Sequence, residues 1–260
     1  MKKVNLYLNI ANIQAGVIVA IRDNDFCYLI TVMRKKLGDE ILIFNGIDGQ
    51  WLAKIIAIEK KYCRIEIISQ TKEQYFPPKI TIAFAPVKNV RIDFIAAKAT
   101  ELGIAKFQPI ITRHTIVDKI NLERFEANIK EAAEQCERLD LPKIYKPIKL
   151  ENFLKNLTKN QLLILCDESG NGNKASEILP QINVADQELI IVTGPEGGFS
   201  KAEFEQFGEL TNLCKISLGP RILRADTAII SAITLVQEFC GDFNLQPNPM
   251  VNSLANLNDL

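Results

Sequence analysis

The chain has 260 residues, 47% hydrophobic and 24% charged, which is the composition of a globular protein long enough for two modest domains. Its 31 Lys and Arg balance 31 Asp and Glu, and a net charge of zero argues against a generic polyanion binder. No run reaches the roughly 18 apolar residues of a membrane span, the start Met-Lys-Lys-Val-Asn lacks the apolar core of a signal peptide, and one histidine with six scattered cysteines leaves little for a zinc site and suits reduced thiols in the cytosol.

The first 72 residues read as β. Short runs rich in β-branched residues recur at Asn5–Asn9, Gly16–Ile21, Tyr28–Met33, Glu40–Phe44, Trp51–Ile58 and Cys63–Ile68. Asn45-Gly46, Asp48-Gly49 and Lys60-Lys61 mark turns between several of them. About six short strands with so little helix predict a small barrel. This stretch holds eleven Lys or Arg against seven Asp or Glu, a net of +4, so the remainder is −4. That asymmetry is compatible with one part gripping nucleic acid and another doing chemistry. Pro77-Pro78 cannot join a central ladder, and the domain boundary is placed here, with domains at 1–72 and 73–243.

The second block alternates strand and helix. Strands are predicted at Ile80–Ala85, Phe107–Ile111, near 144–148, at Leu162–Cys166, Leu189–Val192 and Lys215–Leu218. Helices are predicted at 91–102, 121–139 with Asn121 as a cap, 150–157, 200–210 and 225–240. Near-continuous apolar strands between helices predict a parallel sheet covered on both faces. Residues 244–260 have no strong periodicity and are expected to form a mobile or loosely docked tail.

Three polar or glycine-rich stretches follow strands. Gly194-Pro-Glu-Gly-Gly-Phe-Ser200 offers tight turns, and Ser200 with Glu203 makes the S-x-x-E pattern of a capping box. It resembles a phosphate loop but carries Glu196 where such a loop carries lysine, so a neutral or cationic, donor-rich ligand suits it better. A structural turn in which Glu196 caps local amides explains the spacing as well. Leu218-Gly-Pro-Arg-Ile-Leu-Arg-Ala-Asp-Thr-Ala228 places Arg221, Arg224 and Asp226 at a helix start, where a surface ion pair is the plain alternative. Cys166-Asp-Glu-Ser-Gly170 follows a third strand. Three such strand ends describe a ligand crevice at the carboxyl edge of a parallel sheet. Arg138 stands near the end of the long helix, where a cap is as good a reading as a site role. His114, the only histidine, reads as incidental, and without it no Ser-His-Asp arrangement can be assembled.

"GPEGGFSKAE" followed by "LGPRILRADTA" resembles the C-terminal signature of the RsmE family of bacterial ribosomal RNA methyltransferases, members of the knotted SPOUT class. "VMRKKLGD", "KATELGI" and "EQCERLDLP" resemble further segments of that family, so the likeness spans nearly the whole chain. The resemblance implies an α/β protein with an N-terminal PUA-like β-barrel and a C-terminal SPOUT domain whose parallel sheet carries a deep trefoil knot. It implies methyl transfer from S-adenosylmethionine to N3 of one uridine in the decoding region of 16S ribosomal RNA in the 30S subunit, by a cytoplasmic homodimer without metal or membrane. The cofactor residues it implies are Leu165, Cys166, Gly194, Pro195, Glu196, Gly197, Leu218, Gly219, Ile222, Leu223 and Ala228. For such catalysis Arg224 and Arg138, the latter from the same or the partner subunit, are expected to stabilise charge, with Asp226 or Glu196 orienting them or accepting the proton, and the basic residues Arg34, Lys35, Lys36, Lys60, Lys61 and Arg113 are expected to hold RNA phosphates. Ala225-Asp-Thr-Ala stands where the family usually has Thr-Glu-Thr-Ala, Tyr28 where histidine is common, and Met33 where leucine is usual. A knotted methyltransferase acting on a tRNA ribose hydroxyl, and a non-catalytic RNA-binding protein that keeps the fold, are the competing readings.

Overall fold

The computed structural model describes residues 3–245 apart from 88, 118, 185 and 186, with the backbone alone at 89–91. Most of the expected tail, 246–260, lies outside the described residues. The chain forms two compact units. One runs to Phe76 and includes Ala133–Leu141; the other comprises Pro77–Ala132 and Pro142–Leu245.

The first unit contains β1 (Asn5–Tyr7), β2 (Ile18–Arg22), α1 (Asp23–Cys27), β3 (Glu40–Phe44), β4 (Gln50–Ile58) and β5 (Tyr62–Lys72). The sheet order is β1-β3-β4-β5-β2, with β1 and β3 parallel and the other pairs antiparallel. Along β5 the side chains alternate: Cys63, Ile65 and Ile67 are buried, while Arg64, Glu66 and Ile68 face out. Register shifts between β4 and β5 bend the long hairpin. No β1–β2 pairing closes the sheet among the described residues, so the expected barrel is a curled, open sheet. The strand expected at Tyr28–Met33 is instead a π-helical segment, Tyr28–Val32, continuing from α1. Leu29 is fully buried there and Val32 is exposed, so burial of one side chain per turn overrides the β-branched composition.

The second unit contains β6 (Ile80–Phe84), α2 (Asn89–Glu101), β7 (Lys106–Ile111), the start of α3 (Leu122–Cys136), β8 (Lys143–Ile144), β9 (Ile148–Lys149), α4 (Leu150–Lys155) and β10 (Gln161–Cys166). It continues with β11 (Asn173–Lys174), α5 (Ala175–Ile178), β12 (Glu188–Thr193), α6 (Lys201–Gly208), β13 (Leu213–Ser217) and α7 (Ala225–Cys240). Every pairing in its sheet is parallel, in the order β11-β13-β10-β12-β6-β7-β8, with β9 beside β7. Leu163, Leu165, Ile190 and Val192 meet Phe199, Phe207 and the α4 residues Phe153 and Leu154 in one apolar cluster. α7 packs against α2, β6 and β12, and Gln237 of α7 donates to the Leu102 carbonyl at 2.7 Å. Both faces are covered, which is why these strands read as continuous apolar runs.

Candidate active site

β13, β10 and β12 are neighbours and parallel, so their carboxyl ends share one edge of the sheet. The three loops that leave this edge enclose a cavity of about 260 Å³. Its wall is formed by Cys166, Asp167, Glu168 and Gly170 after β10, by Thr193, Gly194, Pro195, Glu196 and Gly198 after β12, and by residues 217–223 with Ala225 and Ala228 after β13. A crevice at this place follows from the parallel topology.

The glycine loop is held by its neighbours. Gly198 has φ +67°, a left-handed conformation, and its N–H donates to the Pro195 carbonyl at 2.9 Å. The Glu168 carboxylate accepts the Phe199 N–H at 2.8 Å and would stand 2.7 Å from any Cβ at position 198. A Cβ at Gly194 would lie 3.0 Å from the Phe199 ring. His114 places Nδ1 at 3.1 Å from the Gly197 carbonyl and 3.0 Å from that of Gly198, where an Nδ1–H would donate to both. Ser200 and Glu203 form the expected capping box at the start of α6.

The polar groups of the wall define its chemistry. Asp167 is 5% exposed; its Oδ1 accepts from the Ser169 N–H and hydroxyl, while Oδ2 is buried with no hydrogen-bond partner. The hydroxyl of Thr193, 1% exposed, is likewise unpartnered. Buried oxygens are normally paired, so two orphans in one cavity wall call for a ligand that brings donors. The acidic side chains of Asp167, Glu168 and Glu196 disfavour phosphate there. Burial, and then the charges of Glu168 and Cys214, push the Cys166 thiol up, so it stays a neutral part of the wall.

Of the expected cofactor residues, Cys166, Gly194, Pro195, Glu196, Leu218, Gly219, Ile222, Leu223 and Ala228 line the cavity. Leu165 and Gly197 lie outside the lining: Leu165 is fully buried in the sheet core, and Gly197 faces His114. Arg224 is the exposed N-cap residue of α7, and Asp226 accepts from the Thr227 N–H in the first turn; neither lines the cavity, whereas Arg221 does. Arg138 belongs to the first unit, where Nε and Nη2 each donate to Asp140 at 2.8 Å. Arg113 is exposed, with its backbone N–H on Glu203. Arg34, Lys36, Lys60 and Lys61 are exposed and Lys35 half-buried, and no carboxylate pairs with them among the described residues. The sequence reading singled out neither Asp167 nor Thr193, and it passed over His114. Their signal was position alone: Thr193 ends an apolar strand, Asp167 directly follows one, and His114 comes three residues after the end of one.

A parallel sheet with a donor-seeking cavity at its carboxyl edge, in a chain that also carries a curled β unit with exposed cations, fits an RNA methyltransferase with a PUA domain. Family models agree: the RNA methyltransferase domain matches residues 74–237 and the RNA methyltransferase PUA domain residues 21–68. The chain belongs to the RsmE family, whose members are named ribosomal RNA small subunit methyltransferase E. The Rickettsia conorii protein of that name is 35% identical over 237 residues, covering 91% of this chain and 96% of its own. The Synechocystis one is 32% identical over 213 residues, 80% of this chain and 69% of its own. The crystal structure of a ribosomal RNA small subunit methyltransferase E from Neisseria gonorrhoeae bound to S-adenosyl methionine has a TM-score of 0.83, at 28% identity, over 93% of this chain and 100% of that one.

Proposed function

We propose that this protein methylates N3 of one uridine in the decoding region of 16S ribosomal RNA within the small ribosomal subunit, using S-adenosylmethionine, and works in the cytoplasm as a homodimer with a deep trefoil knot. The observation that carries this reading is the pair of orphaned oxygens, Asp167 Oδ2 and Thr193 Oγ1, in the wall of the cavity at the sheet's carboxyl edge. When bound, S-adenosylmethionine supplies an electrophilic methyl on a sulfonium, together with a ribose diol and an ammonium group as donors and no phosphate. Asp167 and Thr193 would accept those donors, and Gly194 lets the backbone approach closely.

Uracil N3 is a poor nucleophile until its proton leaves, so the protein must remove that proton and stabilise the anion. We assign charge stabilisation to Arg224, supported by its exposure beside the cavity residues Leu223 and Ala225. Asp226 or Glu196 takes the proton or orients the arginines. Arg138, whose fork is occupied by Asp140, is assigned to bracing the first unit. Arg34, Lys35, Lys36, Lys60, Lys61 and Arg113 hold rRNA phosphates, and the target base leaves its stack to reach the site.

The decisive experiment is methyl transfer to small subunits from a strain lacking the modification, followed by mapping of the modified base. Methyl on any atom other than a uridine N3 overturns the assignment. Calorimetry with S-adenosylmethionine tests the non-catalytic alternative, which requires no binding. Light scattering should read twice the chain mass of 29.2 kDa.

A further inference from the structure

β2 and β5 run antiparallel, with Arg22 opposite Tyr62 and Ala20 opposite Arg64. Strand alternation buries Ile21, Cys63 and Ile65 and leaves Arg22, Tyr62 and Arg64 together on the outer face. The guanidinium carbon of Arg22 lies 4.9 Å from the Tyr62 ring centroid, and that of Arg64 lies 5.7 Å from it. Arg64 Nη2 also donates to the Tyr62 hydroxyl at 3.4 Å. Lys60 and Lys61 precede the ring directly in the β4–β5 turn.

Three cations of this unit are paired, Lys3 with Glu40, Lys72 with Glu137 and Arg138 with Asp140. No carboxylate pairs with Arg22, Arg64, Lys60 or Lys61 among the described residues, although Asp23 and Glu59 are close in sequence. Arginines over an aromatic ring keep their in-plane N–H groups available for phosphate oxygens. An aromatic face among cations is the arrangement that receives unpaired bases, because every base has a π face.

We propose that Arg22, Tyr62 and Arg64 form a stacking site for one unpaired nucleotide of ribosomal RNA. Tyr62 and the guanidinium planes take the base, and Lys60 and Lys61 neutralise the flanking phosphates. The site rests on the reading of this protein as one that acts on rRNA.

The test measures affinity of the full chain for protein-free 16S ribosomal RNA across a salt series, with S-adenosylmethionine titrated in parallel. Tyr62→Leu should weaken RNA binding about tenfold and leave the salt slope unchanged. Tyr62→Phe and Tyr62→Trp, which keep a π face, should bind within about twofold of the wild type. Lys60→Ala and Lys61→Ala should each lower the slope by about 0.7. Wild-type affinity in Tyr62→Leu, or losses in Tyr62→Phe and Tyr62→Trp equal to it, would overturn the stacking site, as would absence of rRNA binding by the wild type. Normal cofactor binding and an unchanged melting temperature verify that each variant is folded. If the wild type binds rRNA but not S-adenosylmethionine, the methyltransferase reading fails while the stacking site stands.

Discussion

The Glu203 carboxylate accepts the backbone N–H of Arg113 at 2.8 Å, linking the loop after β7 to the first turn of α6, 90 residues later. The same carboxylate accepts from the N–H and hydroxyl of Ser200, each at 2.8 Å, and only 8% of the residue is exposed. Glu203→Ala strands these donors and removes half of a capping box. It should cost about 2–3 kcal/mol in denaturant unfolding, with partial recovery in Glu203→Gln, which keeps one acceptor oxygen.

Gly198→Ala meets two separate obstacles. Its φ of +67° costs a side chain about 1–2 kcal/mol, and the Glu168 carboxylate stands 2.7 Å from the new Cβ. Cofactor affinity should fall as the loop shifts. Adding Glu168→Ala relieves the contact but leaves the backbone strain and strands the Phe199 N–H, so the double variant should stay less stable than the wild type. Full recovery would show that φ is not limiting.

Asp167 and Thr193 are predicted to trade stability for binding. Thr193→Val replaces an orphaned hydroxyl by a methyl, and Asp167→Asn removes an unpaired buried charge. Each variant should be more stable than the wild type without cofactor and bind S-adenosylmethionine about tenfold more weakly. Calorimetry together with ligand-free unfolding reads both effects.

The two arginines should separate by readout. Arg224→Ala changes an exposed side chain, so turnover should drop about a hundredfold with cofactor affinity intact. Arg138→Ala leaves Asp140 largely buried without its fork, so the protein should lose about 2–3 kcal/mol of stability. Equal loss of cofactor affinity in Arg224→Ala, with normal single-turnover rates, would remove its catalytic role.

Glu188 sets an acid dependence. Burial raises its carboxyl, but hydrogen bonds from Lys106 and Gln161 and the Lys106 charge outweigh that and hold it below the ordinary carboxylate range. A lowered folded-state pKa stabilises the protein above the unfolded-state value, and that stability is lost as pH falls through the folded one. The unfolding free energies of wild type and Glu188→Gln should therefore converge as pH drops below about 5.

The parallel sheet was legible because strands such as Ile80–Phe84, buried at every position, show continuous apolar runs. The Ser200–Glu203 cap and the three loops were legible because they depend on local spacing. What escaped depends on distant neighbours. Tyr28–Val32 has a strand's composition but answers to the burial of Leu29. β11, two residues long, is defined only by its pairing with β13. The anchoring of His114 on the glycine loop joins residues 83 and 84 positions apart, and spacing carries no trace of it. The pairing of Arg138 with Asp140, two positions on, is likewise not fixed by spacing alone.

The strand order also dictates a schedule. β6 lies between β7 and β12, and the register pairs Ile80 with Leu189. At translation rates of about 5–20 residues per second, a largely apolar strand waits roughly 5–20 s for its partner to be synthesised. Until then the nascent chain exposes an unpaired edge made of Ile, Thr, Ala and Phe, a template for wrong pairing. A domain built this way folds late and all at once, and its yield in the cell depends on what shields residues 80–84 while the ribosome is still working.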